Sequence, residues 1–168
     1  YMPWYSNKDT SGAWGFHWTM NHFNPERFLW DGQREVASHD YPLMGLYDSG
    51  SPATLECHAL LMKFSGIDGV IIDWYGPSPF RDYGMIHRNT GKLIPFLRKA
   101  GLKFAICYED QSVAHMLEGG SLSAKETHVE GLKALETLDS TWFRDPAYFT
   151  PEGRPLLLVF GPQHFGAQ

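Results

Sequence analysis

An α/β fold built of parallel strand–helix units is what this sequence predicts, and two observations carry the prediction. Short apolar, β-branched runs such as Gly69, Val70, Ile71 and Ile72 are too brief for helices and do not alternate with polar residues. They read as strands covered on both faces. Between them lie longer amphipathic stretches with capping signals, and strands that alternate with helices join into a parallel sheet through right-handed crossovers. A third observation points to function. The runs close on acids and aromatics, at the strand ends where such folds place their ligands. Residues 69–76 are the clearest case, ending on Asp73, Trp74, Tyr75 and Gly76.

Taken in order, Tyr1, Met2, Pro3, Trp4 and Tyr5 form the last part of a first strand. Residues 6–50 then make one long βα loop without a sustained period, carrying Trp14, Phe16, His17, Trp18, Phe23, Phe28 and Trp30. A loop that long is functional or disordered, and one this aromatic is not disordered. Ser51 caps a first helix with Pro52 at its first position. Its stripe is Leu55, Ala59 and Met62, with Leu61 beside it, and Gly66 ends it. After the strand at 69–76, Asn89 or Thr90 caps a second helix with the stripe Leu93, Leu97 and Ala100. Pro95 then falls in its first turns, where a missing N–H does least harm. Residues 103–108 are a third strand, closing on Glu109 and Asp110. An irregular loop leads to Ser123 and Glu126, which have capping-box spacing, and to a third helix with the stripe Val129, Leu132, Leu135 and Leu138. Residues 145–153 read as a short strand and a turn, and residues 155–160 as the fourth strand.

Strands and helices in this order match the first half, strands one to four, of a (β/α)8 barrel. Such barrels typically need ~250 residues, and this chain has 168. The expectation is a single partial barrel domain over 1–168, present as a fragment, completed by a second copy, or standing as a small open sheet. A bare strand edge after Phe160 would invite association.

Composition narrows the partners. A net charge of −5 with 20% charged residues offers no basic surface for nucleic acid or an anionic membrane. No apolar run is long enough to insert in a bilayer. No signal-peptide pattern is present, and the abrupt start within a strand fits a leader already removed. Aromatic residues make up 15% of the chain, an excess suited to stacking on sugar rings or to a rigid core. Cys57 falls in a helix and Cys107 in a strand, so both read as free thiols. Zinc-ligand spacing, a nucleophile elbow and a phosphate-binding Gly-Lys pattern are missing, and neither metal nor cofactor is expected.

Several motifs come in a recognisable order. They are residues 1–5, the His17-Trp18 pair, Tyr41-Pro42-Leu43-Met44-Gly45-Leu46-Tyr47, Leu55-Glu56-Cys57-His58, Asp73-Trp74-Tyr75, and the strand ending in Tyr108-Glu109. Over essentially the whole chain this series resembles the N-terminal half of glycoside hydrolase family 99, the endo-α-mannosidases and endo-α-mannanases. Bacterial proteins of family 71 and of the family-99-like type are similar. The resemblance implies a (β/α)8 barrel that cleaves internal α-mannosidic bonds with retention, by a 2-OH-assisted route through an anhydro-sugar. It implies an oligosaccharide or polysaccharide substrate and hence an extracytoplasmic location, periplasmic or secreted. It makes Trp74 the aromatic lining the subsite beyond the cleaved sugar and Glu109 a sugar-contacting carboxylate. Trp4, Tyr5 and His17 fall in the first βα loop of the same face. The family's acid/base pair lies in a Glu-Trp-His-Glu type motif late in the barrel, and this sequence contains no such motif. Asp73 stands where some members have Ser, and Asp110 where some have Pro.

Glycosidic cleavage needs two carboxyl groups ~5–9.5 Å apart, one of them held protonated. From the residues alone, Asp73 and Glu109 at adjacent strand ends are candidates for that pair, given the ~4.8 Å strand spacing. The resemblance instead makes them substrate ligands and leaves the catalytic residues unassigned. The expected sugar-binding set is Trp4, Tyr5, His17, Trp18, Asp73, Trp74, Tyr75, Tyr108 and Glu109. It belongs to a glycoside hydrolase or, without the acid/base pair, to a non-catalytic carbohydrate-binding half-barrel or a self-associating scaffold.

Overall fold

Parallel pairing of three strands organises the computed structural model, which describes residues 1–163. β1 (Gly69–Trp74), β2 (Lys103–Glu109) and β3 (Leu157–Phe160) lie side by side in that order. Gly69 pairs with Lys103 and Trp74 with Tyr108; Ile106 then pairs with Leu157 and Glu109 with Phe160. Gly69 is required by this close pairing, because a Cβ there would stand 2.7 Å from the carbonyl oxygen of Lys103.

The first strand is shorter than predicted. Only Tyr1 joins the sheet, its nitrogen 2.6 Å from the carbonyl of Ile71 and its carbonyl accepting from the amide of Asp73 at 2.9 Å. The next donor on that side would come from Pro3, which has no N–H, so the ladder stops. The Pro3 carbonyl turns to the Asn89 side chain instead, at 3.0 Å.

Two single-turn helices, α1 (Lys8–Ser11) and α2 (Phe16–Thr19), punctuate the long first loop. α3 (Pro52–Phe64) starts with Pro52 as predicted and buries Leu55 and Ala59, with Met62 packed on the core, whereas Leu61 is exposed. α4 (Tyr83–Lys99) starts well before the predicted caps. Asn89 and Thr90 are interior helix residues, buried on the same stripe as Tyr83, Ile86, Leu93 and Leu97. They are tolerated because each is satisfied, Asn89 by Pro3 and Thr90 by the Ile86 carbonyl at 2.8 Å. Pro95 consequently lies inside the helix rather than in its first turns. The carbonyl its ring crowds, four residues back, is that of Gly91.

The stretch read as an irregular loop after β2 contains α5 (Gln111–Glu118), which buries Val113 and Met116. α6 (Thr127–Thr141) follows. The Glu126 carboxylate reaches back to the Ser123 amide at 2.8 Å, but the Ser123 hydroxyl donates to that carboxylate instead of capping the helix. The buried stripe of α6 is Glu130, Ala134 and Leu138, while the predicted Val129 and Leu132 are exposed. The predicted Leu138 is buried, and with Ala134 it joins the cluster that holds Trp74, Tyr108 and Trp142. Residues 145–153 reduce to one bridge, Tyr148 with Phe104, and a 3₁₀ turn, Pro151–Gly153.

The core lies between the sheet and the helices. Leu55, Ile72, Trp74, Leu93, Leu97, Phe104, Ile106, Tyr108, Leu138, Trp142 and Tyr148 share one buried cluster. Truncating a leucine such as Leu93 there costs about 2–5 kcal/mol.

Candidate functional site

Side chains alternate along a strand, so Ile72 and Trp74 turn to the helices while Ile71 and Asp73 turn to the opposite face of the sheet. On β2, Phe104, Ile106 and Tyr108 are buried and the intervening Cys107 and Glu109 are half-exposed. Asp73 is paired with Cys107, and Glu109 follows two positions on. The result is an open cleft of about 480 Å³ lined by Asp73, Tyr75, Cys107 and Glu109, with Tyr1, Met2, Trp4, Ile71 and Phe160 supplying its apolar walls.

Burial and crowding of like charges set the electrostatics. Glu109 is pushed up to about 7, first by burial and then by the neighbouring Asp73 and Asp110, with the Gln111 amide opposing weakly. Burial also raises Asp73, against a hydrogen bond from the Tyr75 hydroxyl. The Tyr75 phenol is held protonated by burial, by the charge of Asp73 and by that same bond. Burial and the two carboxylates push the Cys107 thiol up as well. The pair therefore offers a proton on Glu109 up to near neutral pH beside a second carboxyl, suiting it both to donate to and to accept from sugar hydroxyls.

The aromatic walls are braced from behind. Trp4 lies flat on the His17 ring, with centroids 4.0 Å apart and planes 7° off parallel, and His17 Nε2 is 3.0 Å from the Asp82 carboxylate. Tyr75 stacks on Tyr83 at 4.8 Å, and the Tyr83 hydroxyl is 2.9 Å from His115 Nδ1. Tyr5 packs on Trp18 at 4.0 Å and against Tyr47, and the Trp18 indole donates to the Tyr47 carbonyl at 3.1 Å. Buried Asp48 ties the loop's two ends together, accepting from the Asn7 amide, the Ser11 hydroxyl and the Gly50 amide at 3.0, 2.6 and 2.7 Å.

Of the residues singled out from sequence, Trp4, Asp73, Tyr75 and Glu109 meet at the cleft. His17 stands behind Trp4, and Tyr5 and Trp18 belong to the loop's own small core. Trp74 and Tyr108 do not reach the cleft. Both are buried on the helix side, 5.9 Å apart, with the Trp74 indole donating to His87 Nδ1 at 3.2 Å. The reason is the period of two, since a strand that turns Asp73 to the open face must turn Trp74 away. The same alternation was the available signal for Ile71 and Cys107, which sequence reasoning missed. Among the described residues, no three His, Cys, Asp or Glu side chains converge as a metal site. No helix among them is long and apolar enough to cross a membrane.

No protein-family model matches the chain. Over 113 residues it is 27% identical to the glycoprotein endo-α-1,2-mannosidase of Mus musculus and 26% identical to that of Rattus norvegicus. Each alignment takes in 62% of this chain and 24% of the relative, so the chain spans only about a quarter of the length of the curated relatives it matches. Two solved structures of the family 99 endo-α-mannosidase from Bacteroides thetaiotaomicron share its fold. The one in complex with bis-tris-propane superposes with a TM-score of 0.66 at 20% identity, over 96% of this chain and 40% of that one. The other gives a TM-score of 0.67 at 20% identity, over 95% and 43%. In sequence and in fold, the chain is thus similar to part of the endo-α-mannosidases of glycoside hydrolase family 99.

Proposed function

We propose that this chain supplies a sugar-binding part of a family-99-type glycoside hydrolase acting on internal α-mannosidic bonds of a glycan. The observation that carries the reading is the facing of Asp73 and Glu109 into one cleft beside Trp4 and Tyr75. Asp73 and Glu109 take the sugar hydroxyls, the Trp4 ring gives an apolar wall for a sugar face, and Tyr75 holds Asp73 in place. The similarity to enzymes named endo-α-1,2-mannosidase and endo-α-mannosidase supports the choice of α-mannoside and, with it, an extracellular or lumenal place of work. Bond cleavage is left to groups outside this cleft, since the acid/base motif implied by the resemblance does not occur in the sequence.

A second reading has one observation in its favour. Glu109, protonated up to about pH 7 beside Asp73, has the property of a general acid. In that case Glu109 gives its proton to the leaving oxygen and Asp73 acts on the other side of the bond. Calorimetric titration of the chain with α-manno-oligosaccharides, with hydrolysis followed in the same samples, separates the two. Binding without cleavage, weakened by Asp73→Asn, is the expected result. Cleavage that Glu109→Gln abolishes establishes the second reading. Absence of binding at millimolar sugar overturns both.

A further inference from the structure

We infer that Trp30 is an outlying stacking platform for the distal part of a long glycan, a subsite beyond the cleft. The inference rests on the carbohydrate reading above and extends it from a short sugar to a polymeric one. Trp30 is 98% exposed, whereas a tryptophan ordinarily buries most of its ring. Its support is stiff. The turn is closed by the Gly32 amide on the Leu29 carbonyl at 3.0 Å and the Leu29 amide on the Gln33 carbonyl at 2.7 Å. Gly32 adopts φ +81, a left-handed conformation that glycine accommodates. Phe28 bridges to Arg34, and the Glu35 amide donates to the Arg27 carbonyl at 2.9 Å.

Beneath the tip, the Arg34 guanidinium lies over both Phe28 and Trp14, 4.6 and 5.6 Å from their centroids, and donates to the Pro25 carbonyl at 2.7 Å. The Trp14 indole donates to Glu26, which also pairs with Lys8, at 2.8 and 2.9 Å. The hairpin therefore has its own fastening and does not use Trp30 for it. Asp31 and Gln33, close to Trp30 in sequence and both exposed, carry groups that hydrogen-bond sugar hydroxyls, although one Asp31 oxygen already accepts from the Gln33 amide at 3.0 Å.

This hairpin belongs to the loop that springs from Trp4, a cleft-lining residue, and Tyr5, and that returns at Ser51. The Ala37 amide ties its exit back to the Trp18 carbonyl at 2.9 Å. An apolar ring on a preorganised support binds at low entropic cost, and flat aromatic faces take successive units of a polymer with little demand on their identity.

The test compares Trp30→Ala and Trp30→Phe with the unaltered full chain, using an α-mannobiose probe and a long α-mannan fraction. The expected result is a loss of roughly tenfold to a hundredfold in affinity for the long chain with Trp30→Ala. Trp30→Phe should retain part of that affinity, and mannobiose should bind all three alike. Equal affinity of Trp30→Ala and the unaltered chain for the long glycan, with mannobiose still bound, overturns the platform and leaves the cleft reading intact. Failure of the unaltered chain to bind either sugar overturns the cleft reading and the platform with it. If Trp30→Ala keeps its glycan affinity but no longer binds phosphatidylcholine vesicles that the unaltered chain does bind, the ring is a membrane contact and the platform is overturned.

Discussion

Glu109 concentrates the physics of the cleft in one side chain. Its folded value of about 7 stands above the ordinary 4.5, so between those limits the folded chain keeps a proton that the unfolded chain has released. Stability then falls as pH rises through that window, and above it the full penalty is present. Glu109→Gln removes the charge without removing the shape. Its melting temperature relative to the unaltered chain should rise between pH 4.5 and pH 8, and an identical difference at both pH values would contradict the assignment. Trp74 behaves differently. Because its ring is fully buried against Tyr108 and Trp142, Trp74→Ala should lower stability by about 3–5 kcal/mol, read from the denaturant midpoint. A midpoint within experimental scatter of the unaltered chain would show that the ring is not core. The apposition of Asp73 and Glu109 was legible in the sequence, because both close apolar strand runs. The sorting of Trp74 from Asp73 was equally present in the two-residue period. It was hidden because an all-apolar run masks which face is open.

Among the elements, the long first loop and α4 show where sequence signals compete. The loop has little regular structure, and its ends are tied by buried Asp48 with three donors. Asp48→Ala strands those donors, at about 1–3 kcal/mol for each one left buried. Amide exchange across residues 6–50 should accelerate and the melting temperature should fall; unchanged exchange would mean that the aromatic cluster of Tyr5, Trp18 and Tyr47 suffices alone. In α4, Asn89 and Thr90 carry the chemistry of caps yet lie on the buried stripe. Only the tertiary partner of Asn89, the Pro3 carbonyl, distinguishes a capping asparagine from a buried one, and a single sequence does not reveal that partner. The start of α3 was legible because the fixed φ and missing N–H of Pro52 suit the first helical position. In α6 the predicted Leu138 is buried, but the rest of the buried stripe runs through Ala134 and Glu130 rather than Val129 and Leu132. Ala134 and Leu138 share one cluster with Trp74, Tyr108 and Trp142, which is a property of the assembled core.

At the scale of the whole molecule, alternation of strands and helices was enough to predict a parallel α/β fold, and the predicted second, third and fourth strands are the β1, β2 and β3 of the structure. The first strand was not legible in full, because one proline decides how far its ladder runs. The sheet face opposite the helices carries Ile71 and Phe160, 49% and 61% exposed, and β3 has no partner beyond it among the described residues. Such a surface favours association. Sedimentation should show oligomers that grow with concentration and that Phe160→Lys reduces, whereas a monomer at every concentration would rule this out.

The central claim is that the cleft between the strand ends receives an α-mannoside, and a crystal structure of the full chain grown with an α-manno-oligosaccharide tests it most directly. The prediction is a sugar ring beside Trp4 with its hydroxyls hydrogen-bonded to Asp73 and Glu109. A saturating oligosaccharide that leaves this cleft empty, or that binds only elsewhere on the chain, would contradict it.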